Sequence, residues 1–394
     1  MLLRAAAAAS PLAALAPGTL GYGLRYATTA ASTCSGKVGF VGLGAMGLRM
    51  AKHLLAAGHN LLVYDSNHLA VESLLEEAAA VRTGSETSSS CSFSHLPGGR
   101  WGIAEALRSP AEIAETPGVG VVFTMLSGPD AARRVYLGSK GLLAPQGGIV
   151  PRVLVDCTTL DPPTARELAG RVRAAAVNVD KAGAPLQGLP AQSPTLLDAP
   201  VTGGIVGADA GTLSFLVGGD EAALPAVEHL LRAMGTSVTW CGDPGDAQAA
   251  RLCNTMVQAA TMAATAEALA LARRLGVDPR VMTKVLNSGS GRSWVSQEYN
   301  PVPGITPQAP SSRGYRGGLR CTQVADHLKM AVTAAEKSYS PVPMARQVMQ
   351  LYGQVCEEGL GDLDFASVYR YVYGSGAAHH EWASGEALFN AQHP

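Results

Sequence analysis

Three glycines and an aspartate carry the clearest chemistry in this chain. Gly42, Gly44 and Gly47 follow the apolar run KVGFV in GLGAMG, the pattern G-x-G-x-x-G. The first glycine permits a tight turn. The second lets backbone N–H groups approach a pyrophosphate, and the third lets a helix pack close to a strand. Leu43, Ala45 and Met46 complete this cradle, and the helix N-terminus that follows favours phosphate charge. Asp65 ends the next run, HNLLVYD, and Ser66 follows it. A carboxylate there accepts hydrogen bonds from ribose hydroxyls and repels a 2′-phosphate, so the expected cofactor is NAD rather than NADP. A second glycine turn, Thr202-Gly203-Gly204 in DAPVTGG, exposes backbone N–H groups beside a hydroxyl. That combination suits a substrate carboxylate, which needs several donors in a small space. A plain glycine-rich turn is the alternative.

These residues need a sheet to hold them. KVGFV reads as a buried parallel strand, LRMAKHLLAAG as a helix that stops at Gly58, and HNLLVYD as the second strand. AVESLLEEAAAV and SPAEIAE read as helices, 119–126 and 153–159 as further strands, and DPPTARELAGRV as a proline-started helix. Residues 124–130 and 156–159 then fall at C-terminal strand ends, where a doubly wound sheet presents its ligand loops. Leu126, Ser127, Ala131 and Thr159 are candidate cofactor contacts on that ground. From Ala247 to Gly276 the composition is that of one long helix. Helical patterns continue over 275–287 and 322–360, with a break at 340–343. The expected fold class is α/β: an N-terminal Rossmann doubly wound domain, then an all-α C-terminal domain joined by a long inter-domain helix.

The counts narrow the function classes. The chain has 394 residues and a formal net charge of -1, so neither nucleic acid nor an anionic membrane is an expected partner. Hydrophobic residues make up 47% and charged residues 15%, a composition that builds cores. Seven cysteines are scattered without a C-x-x-C, which argues against a zinc site or a disulfide framework and for a reducing compartment. No later segment approaches ~20 uninterrupted apolar residues, so no membrane span is expected. The first acidic residue is Asp65, and the opening stretch carries Arg4, Arg25, many alanines and some Ser and Thr. An acid-free, arginine-bearing leader points to organellar import, with the mitochondrial matrix first and the plastid as the other destination. A short secretory signal is the rival reading, which the free cysteines disfavour. The expected division is a leader over 1–35, the dinucleotide-binding domain over 36–242 with Ser/Gly/Pro-rich insertions near 83–100 and 177–197, a helical substrate and dimerisation domain over 243–376, and a tail over 377–394.

With these residues in view, the chain resembles the 3-hydroxyisobutyrate dehydrogenases of the β-hydroxyacid dehydrogenase family. The stretches that carry the resemblance are VGFVGLGAMGLRMAKHLLAAGH, TML at 124–126, VDCTTLDP, DAPVTGGIVGADAGTLSFLVGG and SGRSWVSQEYNPVPG. The resemblance implies NAD-dependent oxidation of a small β-hydroxyacid, 3-hydroxyisobutyrate to methylmalonate semialdehyde in valine breakdown, by a homodimer or homotetramer. It also implies that Thr202-Gly203-Gly204 binds the substrate carboxylate and that the loop around Trp294 closes over the site, although Trp294 could simply be core.

Two positions depart from the family pattern. In AARLCN the family has a lysine and, three residues later, an asparagine on the same helical face. Asn254 matches, but the lysine position is Arg251. A lysine can be tuned to accept the hydroxyl proton, whereas arginine holds its own proton. Arg251 can still polarise the substrate oxygen or hold a carboxylate. In VADHLKMA the family has lysine then aspartate, the lysine reaching the cofactor; here those positions are Asp326 and His327, with Lys329 one turn on. His327 is a titratable alternative base, although an exposed helix histidine is the plainer reading. Two further functions stay open: a weakened or inactive NAD-binding homologue, because of Arg251, and a glyoxylate or succinic semialdehyde reductase of the same family.

Overall fold

Runs of β-branched and aromatic residues, separated by glycine and proline turns, build a sheet first and leave the helices that follow to cover it. The computed structural model describes residues 36–83, 101–182 and 193–374. The order is β1 (Lys37–Val41), α1 (Gly47–Ala56), β2 (Leu61–Tyr64), α2 (His68–Thr83), β3 (Ala104–Ala106), α3 (Pro110–Glu115), β4 (Val119–Thr124), α4 (Pro129–Leu137), β5 (Val153–Asp156), α5 (Pro162–Arg173), β6 (Thr195–Asp198), β7 (Val201–Thr202), α6 (Gly204–Ala210), β8 (Leu213–Gly218), α7 (Leu224–Met234) and β9 (Gly235–Gly242). Helices α8 (Asp246–Arg274), α9 (Pro279–Ser288), α10 (Trp294–Glu298), α11 (Cys321–Lys337), α12 (Pro343–Val355) and α13 (Val368–Gly374) complete it.

The sheet runs β3-β2-β1-β4-β5-β6-β8-β7, with β9 beside β8. Strands β3 to β6 are parallel, β8 is antiparallel to β6 and β7, and β9 is parallel to β8. One face buries Phe40, Val63, Phe123 and Val155 against α1 and α7. The other buries Val41, Leu62, Val122 and Leu154 against α3, α4 and α5. Both faces covered is the physical reason these strands are apolar throughout rather than alternating. Helix starts follow their signals: Ser109 caps α3, Asp161 caps α5 and Asp278 caps α9, each with proline in the first turn.

Helix α8 is 29 residues long, about 44 Å at 1.5 Å per residue. Its first turns bury Ala247, Gln248 and Arg251, and its middle buries Ala259, Met262, Ala266 and Leu269 in a second core with Val324 and Leu328 of α11 and Tyr352 of α12. One helix therefore belongs to both the sheet half and the helical half. The predicted Rossmann domain followed by a helical domain is what the chain forms.

Some expectations need correction. The second insertion, placed near 177–197, ends inside the sheet, because Thr195–Asp198 is β6 and pairs with β5 in register. Its middle, the first insertion beyond Thr83, the leader and the tail from 377 lie outside the described residues. Strand β3, only three residues with two exposed, had no apolar run to announce it. Trp294 is not core: it is 43% exposed and stacks on Tyr299 with ring centroids 4.7 Å apart. Among the described residues no helix is long and apolar enough to cross a membrane, and no cluster of His, Cys, Asp or Glu is arranged to hold a metal ion.

Candidate active site

The cradle forms where β1 turns into α1. Gly42 has φ +100 in that turn, and a Cβ there would run into the Met125 carbonyl. A Cβ on Gly47 would collide with the Gly42 carbonyl, so the helix can approach the strand only with glycine at that position. Gly44, by contrast, has nothing within 4 Å of where its Cβ would stand, and it is exposed together with Ala45. Leu43 is buried and Met46 half-buried. No side chain caps the start of α1. Asp65, just past β2, accepts the Leu43 N–H at 2.5 Å and the Asn67 N–H at 2.7 Å. Each carboxylate oxygen keeps a second lone pair for a ribose hydroxyl. Ser66 is exposed beside it. An open, uncapped turn with an anchored carboxylate at its rim fits a dinucleotide.

The neighbouring loops are stitched to one another. Thr158 Oγ1 accepts the Leu126 N–H at 3.0 Å, tying the loop after β4 to the loop after β5. Gln248, on α8, accepts the Leu160 N–H at 2.8 Å and donates to the Thr158 carbonyl at 2.9 Å. Thr159 is half-buried between these anchors. Below them, Asp156 and Asp198 face each other in register on β5 and β6. Asp156 accepts the Thr158 N–H at 2.9 Å, and Asp198 accepts the Gly245 N–H at 3.0 Å. Burial pushes the Asp156 carboxyl up to about 6 and raises Asp198 as well. The second oxygen of each is buried without a partner. Sequence reasoning placed Thr159 at this edge but missed Gln248, whose only signal was a polar residue facing inward at the start of α8.

The substrate side is built on α8. Asn254 Nδ2 donates to Thr202 Oγ1 at 3.4 Å, which brings the glycine turn Thr202-Gly203-Gly204 against the helix face expected to oppose it. Arg251, 6% exposed, is no surface arginine. Its Nη1 donates to Thr255 Oγ1 at 2.6 Å, while its Nε is buried without a partner. Burial pulls the guanidinium down to about 10, so at neutral pH it remains a cation and a donor. Helix α11 brings His327 to this cation. The plain reading of His327 as an exposed helix residue is wrong: the side chain is half-buried and its Nδ1 is fully buried without a partner. Burial and the Arg251 charge push its imidazole down to about 3.

A cavity of about 1110 Å³ opens between the two halves. Ser127 and Ala131 line it from the start of α4, Cys253 from α8, and Asp326 and His327 from α11. Asp326 and Lys329 are exposed at its wall. Trp294 is not among its lining residues. The structure gathers Gly42 to Gly47 and Asp65 into one cradle, and it places Ser127, Ala131 and Asp326 on the wall of the cavity. It gathers Arg251, Asn254 and Thr202 at the first turns of α8.

Two family models cover most of the chain. One, described as the NAD binding domain of 6-phosphogluconate dehydrogenase, matches residues 37–193 and 177–242. The other, described as NAD-binding of NADP-dependent 3-hydroxyisobutyrate dehydrogenase, matches residues 245–372. The mitochondrial 3-hydroxyisobutyrate dehydrogenase of Homo sapiens is 35% identical over 337 residues, 85% of this chain and 86% of that protein. A probable mitochondrial 3-hydroxyisobutyrate dehydrogenase of Arabidopsis thaliana is 35% identical over 336 residues, 85% of this chain and 87% of that protein. The 3-hydroxyisobutyrate dehydrogenase of Pseudomonas aeruginosa is 37% identical over 340 residues, 86% of this chain and 98% of that protein. Among solved structures, Mycobacterium tuberculosis 3-hydroxyisobutyrate dehydrogenase with L-serine superposes with a TM-score of 0.66 at 28% identity, covering 86% of this chain and 99% of that one. Cradle, cleft and likeness agree: the chain belongs to the 3-hydroxyisobutyrate dehydrogenase family of hydroxyacid dehydrogenases, with a nicotinamide dinucleotide as its cofactor.

Proposed function

We propose that the chain oxidises a small β-hydroxyacid with NAD, 3-hydroxyisobutyrate to methylmalonate semialdehyde foremost, in the mitochondrial matrix. The observation that carries this reading is the facing of Thr202 and Asn254, with Arg251 one turn before the asparagine on α8. Gly42 to Gly47 would hold the pyrophosphate, and Asp65 and Ser66 the adenosine ribose. Leu126, Ser127, Ala131, Thr159 and Asp326 would line the rest of the dinucleotide. Preference for NAD rests on the Asp65 charge. When bound, the oxidised dinucleotide supplies the two-electron acceptor for the hydrogen on the carbinol carbon. Thr202 and the N–H groups of Gly203 and Gly204 would hold the substrate carboxylate, with Asn254 fixing the hydroxyl end. Arg251 would donate to the substrate oxygen as charge develops on it, an electrostatic role that needs no proton acceptance.

The mitochondrial assignment is supported by the names of relatives from Homo sapiens and Arabidopsis thaliana. The bound L-serine of the Mycobacterium tuberculosis relative is itself a β-hydroxy acid, which supports the substrate class. A homo-oligomer is supported by exposed apolar residues: Val257 and Leu271 on α8 at 67% and 58% exposure, Leu275 just past its end at 73%, and Val281 and Val285 on α9. A second reading has a specific observation behind it: a buried guanidinium at the family's lysine position favours a homologue that binds the dinucleotide and turns over slowly. The test is NAD reduction by the purified protein with 3-hydroxyisobutyrate, beside Arg251→Lys, with NAD affinity measured separately. A natural form that is silent while NAD binding is intact overturns the dehydrogenase reading. A large gain for Arg251→Lys would then identify the arginine as the cause. Glyoxylate and succinic semialdehyde, tried with NADH, test the reductase alternative.

A further inference from the structure

Gln248 has no exposed surface, yet both ends of its amide are engaged. Its Oε1 accepts the Leu160 N–H at 2.8 Å, and its Nε2 donates to the Thr158 carbonyl at 2.9 Å. A carbonyl and the N–H two residues later are what a strand offers to one residue of a parallel neighbour. A primary amide carries an acceptor and a donor side by side, so this side chain pairs with the chain beyond β5 as a strand residue would. The segment it grips belongs to the cofactor side. Thr159, a cofactor candidate, lies between the two gripped residues. Thr158 Oγ1 also accepts the Leu126 N–H, which ties the loop after β4 into the same unit.

The other end of the side chain is α8. The start of that helix is pinned to β6 as well, where Asp198 accepts the Gly245 N–H at 3.0 Å. Thr202, which Asn254 contacts, follows Asp198 by four residues on the next strand. A helix is stiff over two turns. The place of Gln248 therefore sets that of Arg251, three residues on, and of Asn254, six residues on and about 9 Å along the axis. The Arg166–Asp246 ion pair joins α8 to α5 nearby, but at 3.7 Å and with both side chains about half exposed it contributes little.

We propose that Gln248 is a positioning residue for the oxidation: its buried amide locks the substrate-side turns of α8 to the loops on the cofactor side, so that Arg251 and Asn254 hold the substrate in register with the dinucleotide. This rests on the dehydrogenase reading above. With no exposed surface, Gln248 touches neither substrate nor cofactor and acts only through the segments it joins. The amide is not replaceable by shape alone. Methionine fills similar space and leaves the Thr158 carbonyl and the Leu160 N–H buried without partners. An ionised glutamate still accepts from Leu160 but sets a charge against the Thr158 carbonyl. A protonated glutamate accepts and donates as the amide does. Burial keeps such a carboxyl protonated to higher pH, as do Asp156 before Thr158 and Asp198 at the start of α8, while Arg251 one turn on opposes them.

Gln248→Met is expected to lower kcat by about 100-fold and leave KM for 3-hydroxyisobutyrate within about threefold, the pattern of bound but misplaced substrate. A kcat within about twofold of the natural protein overturns the proposal, as does a loss that appears in KM instead. Gln248→Glu separates the amide's hydrogen bonds from mere packing. Its kcat, relative to the natural protein at the same pH, is expected to recover at least about tenfold between about pH 8 and about pH 5.5, as the carboxyl gains its proton. A ratio that stays flat overturns the proposal. Amide hydrogen exchange needs no turnover. NAD binding is expected to slow exchange over 246–252 at least about threefold in the natural protein, and the slowing is lost in Gln248→Met. Equal slowing in both proteins overturns the coupling. If the natural protein binds NAD but does not reduce it with the hydroxyacid, the dehydrogenase reading falls, and with it the positioning of this substrate. The exchange comparison then shows separately whether Gln248 joins the two segments.

Discussion

The two ends of the site obey different rules. At the cofactor end, backbone does the work: Gly42, Gly44 and Gly47 are required by turn geometry, close approach and open space, and Asp65 is anchored by two backbone N–H groups. At the substrate end, side chains do the work: Arg251, Thr255, Asn254 and His327 are placed by the packing of α8 on α11 and against β7. The resemblance implies a lysine at each end, and this chain has Arg251 at the substrate end and Asp326 at the cofactor end instead. At Gly42 and Gly47 the cradle tolerates little change, because a Cβ added at either meets a fixed carbonyl.

That contrast can be broken or sharpened by measurement. The largest effect belongs to Arg251→Met, which keeps much of the side chain's length and removes the donor. It should lower kcat by about 10³, the cost of losing one donor to a developing oxyanion, while dinucleotide affinity by fluorescence titration stays within about twofold. An equal loss of dinucleotide affinity would show that the two ends are not separable. Gly47→Val comes next: its branched Cβ enters the Gly42 carbonyl, and overpacking of this kind costs about 1–3 kcal/mol. Dinucleotide affinity should fall at least tenfold, with KM for the hydroxyacid little changed at saturating dinucleotide.

Asp156→Asn probes the buried pair beneath both ends. The folded-state carboxyl is raised from 3.8 to about 6, so its stabilising contribution is full below about pH 3.8 and is lost as pH rises through 6. An asparagine cannot ionise, still accepts from the Thr158 N–H, and offers a donor to the unpartnered oxygen of Asp198. Stability at pH 8 should therefore rise by on the order of 1–2 kcal/mol, or a few degrees in Tm. The gain should shrink as the melt is moved toward pH 4. A Tm gain independent of pH would mean that the pair is not titrating. The smallest effect is expected at Asp65→Asn, where losing one charged acceptor weakens NAD about tenfold, ~1.4 kcal/mol. The loss for NADP should be smaller, since the repulsion of a 2′-phosphate goes with the charge.

The legibility of this site in the sequence follows the same divide. The Gly42–Asp65 cradle was readable because strand, turn, helix and acid are contiguous and each spacing has one geometric meaning. Thr202 and Asn254 were readable through resemblance, and the bond between them agrees with the faces assigned to them. Gln248, Thr255 and the Asp156–Asp198 pair were not read as a network, since their partners lie on other elements. His327 was misjudged because a helix histidine next to Asp326 and Lys329 has a polar neighbourhood in sequence and a buried one in space. The short β3 was missed because two of its three residues are exposed.

By itself, the sequence determined the first parallel strands and the helices beside them, the glycine cradle with its carboxylate, and an arginine and an aspartate where the resemblance implies lysines. Those are matters of local spacing, steric allowance and residue type, which need no partner to be defined. The tertiary structure alone decided that Arg251 is buried and that His327 lies near enough to feel its charge. Burial and proximity depend on how α8 packs against α11, which begins 47 residues after α8 ends. The charge state of both groups depends in turn on the water that this packing excludes.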